Sequence, residues 1–292
     1  MTYSIVGRDP ETGELGIAVQ SQAFNTGAAV PWARPGVGAV ATQSFTDRRY
    51  GWRGLELMAE GTTAADALAS LRGDDELAEF RQVGMMSADG RAAQWTGAHC
   101  VPSAGGAVGE SWIAQANMVE SPRVWEAMGE AFEATAGQLA VRLLAALDAA
   151  QAEGGDWRGC GGAGIVVVPA EGDPWDRVVD LRVEDGDTSL AELRRLLERA
   201  LAYREANRST AGDSAEIARR RGLPELYVEQ CELYDAVERD RPDEVARALA
   251  VLEARDPRWR DVASTVAKLP EMSALGRLLA DKDREQTEEG PA

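Results

Sequence analysis

Histidine and lysine are nearly missing from this chain, and their scarcity removes whole classes of chemistry. The 292 residues hold one histidine, His99, and two lysines, Lys268 and Lys282. One imidazole cannot build a histidine-rich zinc site, and a Ser-His-Asp triad would have to recruit His99 with no GxSxG elbow beside any serine. His99 also adjoins Cys100 after the WTGA strand, where neighbours point to opposite faces, so the two do not form a catalytic couple. Lysine-based catalysis is excluded from everything before Lys268. Cys100, Cys160 and Cys231 are odd in number, far apart and without a CxxC pair, which opposes a disulfide framework and suits a reducing cytoplasm. Basic charge is outweighed: 31 Lys and Arg against 49 Asp and Glu leave a formal charge of −18, which disfavours nucleic acid or anionic lipid as a partner. Apolar runs such as GIVVVP fall far short of a membrane span, and MTYSIVGRDP lacks a signal peptide's basic-then-apolar order. A cytoplasmic protein without a membrane anchor is expected.

What is present is globular in composition, with 45% hydrophobic and 27% charged residues. TYSIVGR, the turn-forming DPETGE and LGIAVQSQ predict a β-hairpin from the first residues. After the small AFNTGAA, AVPWARPGVGAVATQS reads as one interrupted strand bent by its prolines and glycines. Residues 50–71 carry helical periodicity broken at Gly61, with a fresh N-cap at Thr62-Thr63, so two helices are predicted. EFRQVGMMSADGRAAQWTG is a second hairpin turned at Asp89-Gly90, and GAVGESWIAQANM continues the strands. Residues 121–150 form a helical pair, GAGIVVVPA and DRVVDLRVED two more strands, and AELRRLLERALAY a charged helix. Hairpins and helices in blocks predict an α+β fold, satisfied by a four-layer αββα sandwich, over a doubly wound parallel sheet. That domain spans 1–205. A polar linker at 206–211 then leads to a small all-α appendage over 212–284, and an acidic tail closes the chain at 285–292.

TYSIVGRDPETGELGIAVQS, VPWARPGVGAVATQSFTDRRYGWRGLELMAEG, RQVGMMSADGRAAQWTG and VDLRVEDGDTSLAELRRLLERALAY together resemble the bacterial and archaeal domain-of-unknown-function family 1028. The resemblance implies an Ntn-hydrolase-like (N-terminal-nucleophile) αββα fold; the family's reaction is unsettled. This chain departs from the family pattern at Gln115-Ala116-Asn117, where Gln-Gly-Asn is usual, and at Cys160-Gly161-Gly162-Ala163, where a Gln-Ser pair is usual. It also has a helical appendage where some members carry a peptidoglycan-binding-like module, so no cell-wall role is carried over.

The resemblance puts Thr2 where such an enzyme carries its nucleophile. Removal of Met1 would expose an α-amine able to serve as general base for the Thr2 hydroxyl, and an unperturbed α-amine titrates at about 7.7–8.0. By the same mapping, Ser21 would bond the Thr2 amine or hydroxyl and Gln43 would contribute to an oxyanion hole, so Thr2, Ser21 and Gln43 are the catalytic candidates. Arg34, Ser44, Arg49 and Asn117 are the substrate-binding candidates, the arginines for a carboxylate or other anion and Asn117 as a donor to an acyl oxygen. No cofactor or metal is expected. Asp180, Glu184, Asp185 and Asp187 read as caps and solvated loops before a helix, and GCGGAG lacks the GK[ST] of a phosphate loop. The functional expectation is cleavage of a C–N amide bond in a small molecule or short peptide. The alternative is a non-catalytic binding or scaffold protein that keeps the fold and uses the appendage for partners or a homo-oligomer.

Overall fold

The structure, a computed structural model, describes residues 2–280 apart from 274 and 278. Met1 and the acidic tail lie outside the described residues, as does part of the last expected helix. The chain divides into two compact units, up to Leu197 and from Glu198 onward.

In the first unit β1 (Thr2–Arg8) and β2 (Leu15–Ser21) form the predicted hairpin, its turn held where Asp9 Oδ1 accepts from the Glu11 and Thr12 amides at 2.9 and 3.2 Å. A single helical turn, α1 (Thr26–Ala29), follows, then β3 (Pro31–Arg34) and β4 (Gly38–Ser44). The segment expected as one bent strand is therefore a hairpin. Pro35 presets the turn, Gly36 takes φ +68°, and the Val37 amide donates to Arg34 O at 3.2 Å. Next come α2 (Arg49–Ala59) and α3 (Ala64–Gly73), the latter capped as expected by Thr63, whose Oγ1 accepts from the Asp66 amide at 3.1 Å. The remaining elements are β5 (Arg81–Ser87), β6 (Ala92–Thr96), β7 (Gly105–Val108), β8 (Trp112–Asn117), α4 (Val124–Ala134), α5 (Leu139–Ala152), β9 (Gly162–Val168), β10 (Val179–Val183) and the start of α6 (Ser189–Asn207), which from Glu198 belongs to the second unit.

The strands make two antiparallel sheets, one ordered β10-β9-β2-β1-β8-β7 and the other β3-β4-β5-β6, so the protein is α+β. Alternation along β1 sends Tyr3, Ile5 and Gly7 to one face and Thr2, Ser4 and Val6 to the other. The first face receives α4 and α5. Gly7 lies under Phe132 and Leu143, where an added Cβ would come within 2.8 Å of the Phe132 ring, and Tyr3 donates its hydroxyl to Gln151 Oε1 at 3.0 Å. The second face meets the other sheet: Val6, Ile17, Val19 and Ile113 pack with Ala39, Ala41 and Met86. On its far side the four-stranded sheet buries Val40, Val83 and Met85 against Leu55, Met58 and Leu68 of α2 and α3.

In the second unit, α7 (Ser214–Arg220), α8 (Glu225–Glu238), α9 (Pro242–Arg255) and α10 (Trp259–Val266) supply the expected short helices. Buried Asp235 of α8 caps α7 from outside its own chain segment, accepting from the Ser214 and Ala215 amides at 3.1 and 2.9 Å. The expected linker begins inside α6: Ala206 is fully buried in a cluster with Ala215, Ala218 and Leu223, because its apolar face is needed there. Among the described residues no helix is long and apolar enough to cross a membrane.

A buried ionic knot ties the loop after β4 to the sheet. Asp75 accepts from Arg81 Nε at 2.9 Å and from the Tyr50 hydroxyl at 3.1 Å, while Arg81 Nη1 donates to Phe45 O at 2.5 Å. The Arg81 hydrogen bond, helped by the Leu77 amide and Tyr50, holds the Asp75 carboxyl below its ordinary range despite burial. A carboxyl depressed in the folded state contributes stability that is present above its unfolded value, about 3.9, and is lost as pH falls through the folded value. Tyr50→Phe is accordingly expected to cost about 1.5–3 kcal/mol at pH 7 in a denaturant titration, and the difference from wild type is expected to shrink below pH 4.

Candidate active site

The polar residues on the inward face gather at one end of the sheets. Central strand β1 places Thr2 in register with Ser21 of β2 on one side and Asn117 of β8 on the other. All three face the second sheet by the alternation that sends Val6, Ile17 and Ile113 there further along. Half-buried Thr2 donates its hydroxyl to Ser21 Oγ at 3.1 Å, and Ser21 Oγ also accepts from the Ala23 amide at 3.1 Å, which fixes the start of the next loop.

Beneath these residues lies a network of buried amides. Gln43 and Gln82, neighbours across β4 and β5, join directly, with Gln43 Nε2 donating to Gln82 Oε1 at 2.8 Å. The same Gln82 oxygen accepts from Asn117 Nδ2 at 2.9 Å, and Gln82 Nε2 donates to Ala116 O at 2.9 Å and Gly105 O at 3.1 Å. Ser4 donates to Gln43 Oε1 at 2.7 Å, and Gln43 Nε2 also reaches the Thr2 carbonyl at 3.2 Å. Gln43, Gln82, Ser4 and Gln115 are fully buried, and Gln115 is bound through Nε2, to Ser4 Oγ and Ala41 O, while its Oε1 has no partner. Unpaired amides in such a place would cost about 1–3 kcal/mol each, so the network holds its members in one arrangement.

A cavity of about 300 Å³ opens over Thr2, Ser21, Ser44 and Asn117. Its further walls include Phe24 of the loop after β2, Thr26 at the start of α1, Phe45 and Thr46 of the loop after β4, and Val101, Met118 and Arg158. Ser44 and Met118 have φ of +68° and +56°, and Asn25, between two lining residues, has +62°. Left-handed backbone at residues other than glycine costs about 1–3 kcal/mol each and collects at functional sites. Its clustering around one cavity marks this end of the molecule independently of Thr2.

Of the sequence-derived candidates, the structure brings Thr2, Ser21, Ser44 and Asn117 to the cavity and leaves three outside its lining. Gln43 sits beneath, both ends of its amide engaged by protein groups. Arg34 lies at the opposite end of the β3–β4 hairpin, paired with Gly38, some six residues or roughly 20 Å along β4 from Ser44. Arg49 begins α2 with its side chain 64% exposed and forked onto Asp47 at 2.6–3.2 Å. Sequence reasoning missed Phe24, Phe45 and Arg158, which lie in irregular loops outside any periodic pattern.

The other nucleophiles and bases stand apart. β6 ends at Thr96, so His99 and Cys100 lie in a turn and not on a strand; His99 is exposed and rests on Phe80, ring centres 5.2 Å apart. Cys100 donates its thiol to Ser44 Oγ at 3.2 Å, and burial pushes that thiol up, away from the reactive thiolate. Among the described residues no group of three or more His, Cys, Asp and Glu is placed to hold a metal ion. Glu184 instead accepts from the Gly27 amide at 2.9 Å, and Asp180 pairs with Arg182 at 3.3 Å.

Fold and site together define a two-sheet α+β protein with an amide-braced cavity at the first residue of its central strand. The chain belongs to the family of unknown function DUF1028, whose model matches residues 2–193. It is similar to the crystal structure of protein SPO2555 from Silicibacter pomeroyi, described by the same family model, with 30% identity and a TM-score of 0.62 over 68% of this chain and 88% of that one. The search of curated proteins found no match.

Gln43→Leu would strip Ser4 of its acceptor and the Thr2 carbonyl of a donor. A loss of about 3 kcal/mol or more is expected in denaturant unfolding. Gln43→Glu keeps an acceptor for Ser4 but turns a carboxylate oxygen toward the Thr2 carbonyl, Gln82 Oε1 and the Gln115 carbonyl, and is expected to cost at least as much.

Proposed function

We propose that the protein is an N-terminal-nucleophile amidohydrolase whose two sheets and flanking helices form a four-layer αββα sandwich, working in a reducing cytoplasm. The observation that carries this reading is the position of Thr2: first residue of the central strand, at the cavity, with its hydroxyl 3.1 Å from Ser21 Oγ. Met1 removal would leave the Thr2 α-amine beside its own hydroxyl, a base that needs neither histidine nor lysine.

In this reading the Thr2 oxygen attacks the acyl carbon of a small amide while its proton passes to the α-amine. The C–N bond breaks, the amine leaves with that proton, and water cleaves the resulting ester to return Thr2 and a carboxylic acid. Ser21 orients the Thr2 hydroxyl. Asn117, whose amide is aimed by Gln82, has a second N–H with which to meet the developing oxyanion. The unusual backbone at Ser44 and Met118 shapes the wall that receives the acyl group.

Two measurements test the reading. Intact mass of the purified protein is expected to lack Met1, and retained Met1 would remove the mechanism. An acyl-transfer probe is expected to add one acyl group at Thr2 and none in Thr2→Ala, with Ser21→Ala labelled about tenfold more slowly for loss of one orienting hydrogen bond. A protein that lacks Met1 yet leaves Thr2 unlabelled would instead be a non-catalytic binding or scaffold protein.

A further inference from the structure

Among the described residues the cavity wall contains one ionisable side chain, Arg158, and no carboxylate. Arg158 lies in the loop between α5 and β9, a stretch shaped by Gly154, Gly155 and Gly159 at φ of +102°, +54° and +120°. Its support is built in: the Asp156 side chain is fully buried and accepts from the Gln22 amide at 2.9 Å, the Arg158 amide at 2.8 Å and the Arg158 guanidinium at 3.2 Å. Backbone amides therefore share the Asp156 charge, and the guanidinium is held in one direction from behind. A guanidinium carries five N–H donors and can serve two carboxylates at once. The fork geometry of arginine suits a second one arriving on the cavity side.

To a lining of hydroxyls, one amide and small apolar groups the rim adds two aromatic rings, which favour an apolar neighbour there. Phe24 and Phe45 line the cavity yet remain 73% and 55% exposed, and an open cavity of about 300 Å³ suits a small ligand. We infer that the cavity binds a short amide carrying both an apolar group and a carboxylate, of the N-acyl amino acid class, with Arg158 as the residue that reads the carboxylate. This rests on the cavity being the substrate site of the proposed hydrolase, but recognition is separable from turnover.

The test is therefore a binding measurement in Thr2→Ala, where no turnover intervenes. Calorimetry would compare phenylacetylglycine with its neutral counterpart phenylacetylglycinamide. The acid is expected to bind about tenfold more tightly, as one charge-assisted contact provides. Arg158→Met in the same background is expected to abolish that preference while leaving the glycinamide's affinity unchanged, and Arg158→Lys to retain part of it. Because Arg158→Met leaves Asp156 buried without its partner, the pair Asp156→Asn with Arg158→Met is measured beside it, with the same loss expected. Equal affinity for acid and amide, or a preference that survives both arginine-to-methionine variants, would overturn the inference. Selective binding by a protein whose Thr2 is never acylated would defeat the hydrolase and leave the recognition intact.

Discussion

Everything at the candidate site depends on hydrogen bonding among primary amides buried between two sheets. A core of this kind is stable only if its members find partners, and Gln43, Gln82 and Asn117 do so mainly through one another and through strand carbonyls. Because side chains alternate along a strand, a one-residue slip of β4 or β5 would turn Gln43 or Gln82 outward toward α2 and α3 and bring Val40 or Val83 inward. The network therefore fixes strand register as firmly as the apolar half of the same interface does. It also sets the height of Thr2 directly, through the bond from Gln43 Nε2 to the Thr2 carbonyl.

The inter-sheet core is thus divided lengthwise, apolar at Val6, Ile17, Ile113 and Met86 and amide-rich at Ser4, Gln43, Gln82 and Gln115. The apolar half supplies cohesion, and the amide half supplies geometry. Where the amides end, the strands give way to loops, with left-handed backbone at Asn25, Ser44 and Met118, and the cavity opens there. The loop after β4 is further tied by Arg81 and Asp75, so Phe45 stands on a braced support although its ring is exposed.

Much of this was legible in the sequence because it is periodic or locally coded. Thr63 announces the start of α3 through its own side chain, and Asp89-Gly90 announces a hairpin; both signals act within a few residues. Pro35-Gly36 suits a bend or a full turn equally well in the sequence, and only pairing along β3 and β4 decides for the turn. Thr2, Ser21, Ser44 and Asn117 could be named because each ends or begins a recognisable strand. Arg34 is a candidate through the mapping that the family resemblance implies and Arg49 through its charge in the next loop, and neither encodes which end of a hairpin faces the cavity. Arg158 was not named: its placement depends on a contact between Asp156 and Gln22, 134 residues apart, that no local pattern records.

The amide frame under Thr2 has a property that a frame of carboxylates, histidines or lysines would not. Gln43, Gln82, Gln115, Asn117 and Ser4 do not titrate near physiological pH, so acidification that loosens the Asp75–Arg81 knot finds nothing to protonate beneath the cavity floor. The floor is electrically silent. A pH response of ligand binding therefore enters through the ligand, the amine of Thr2 or the Asp75–Arg81 knot that braces Phe45 at the rim, and not through the amides of the floor.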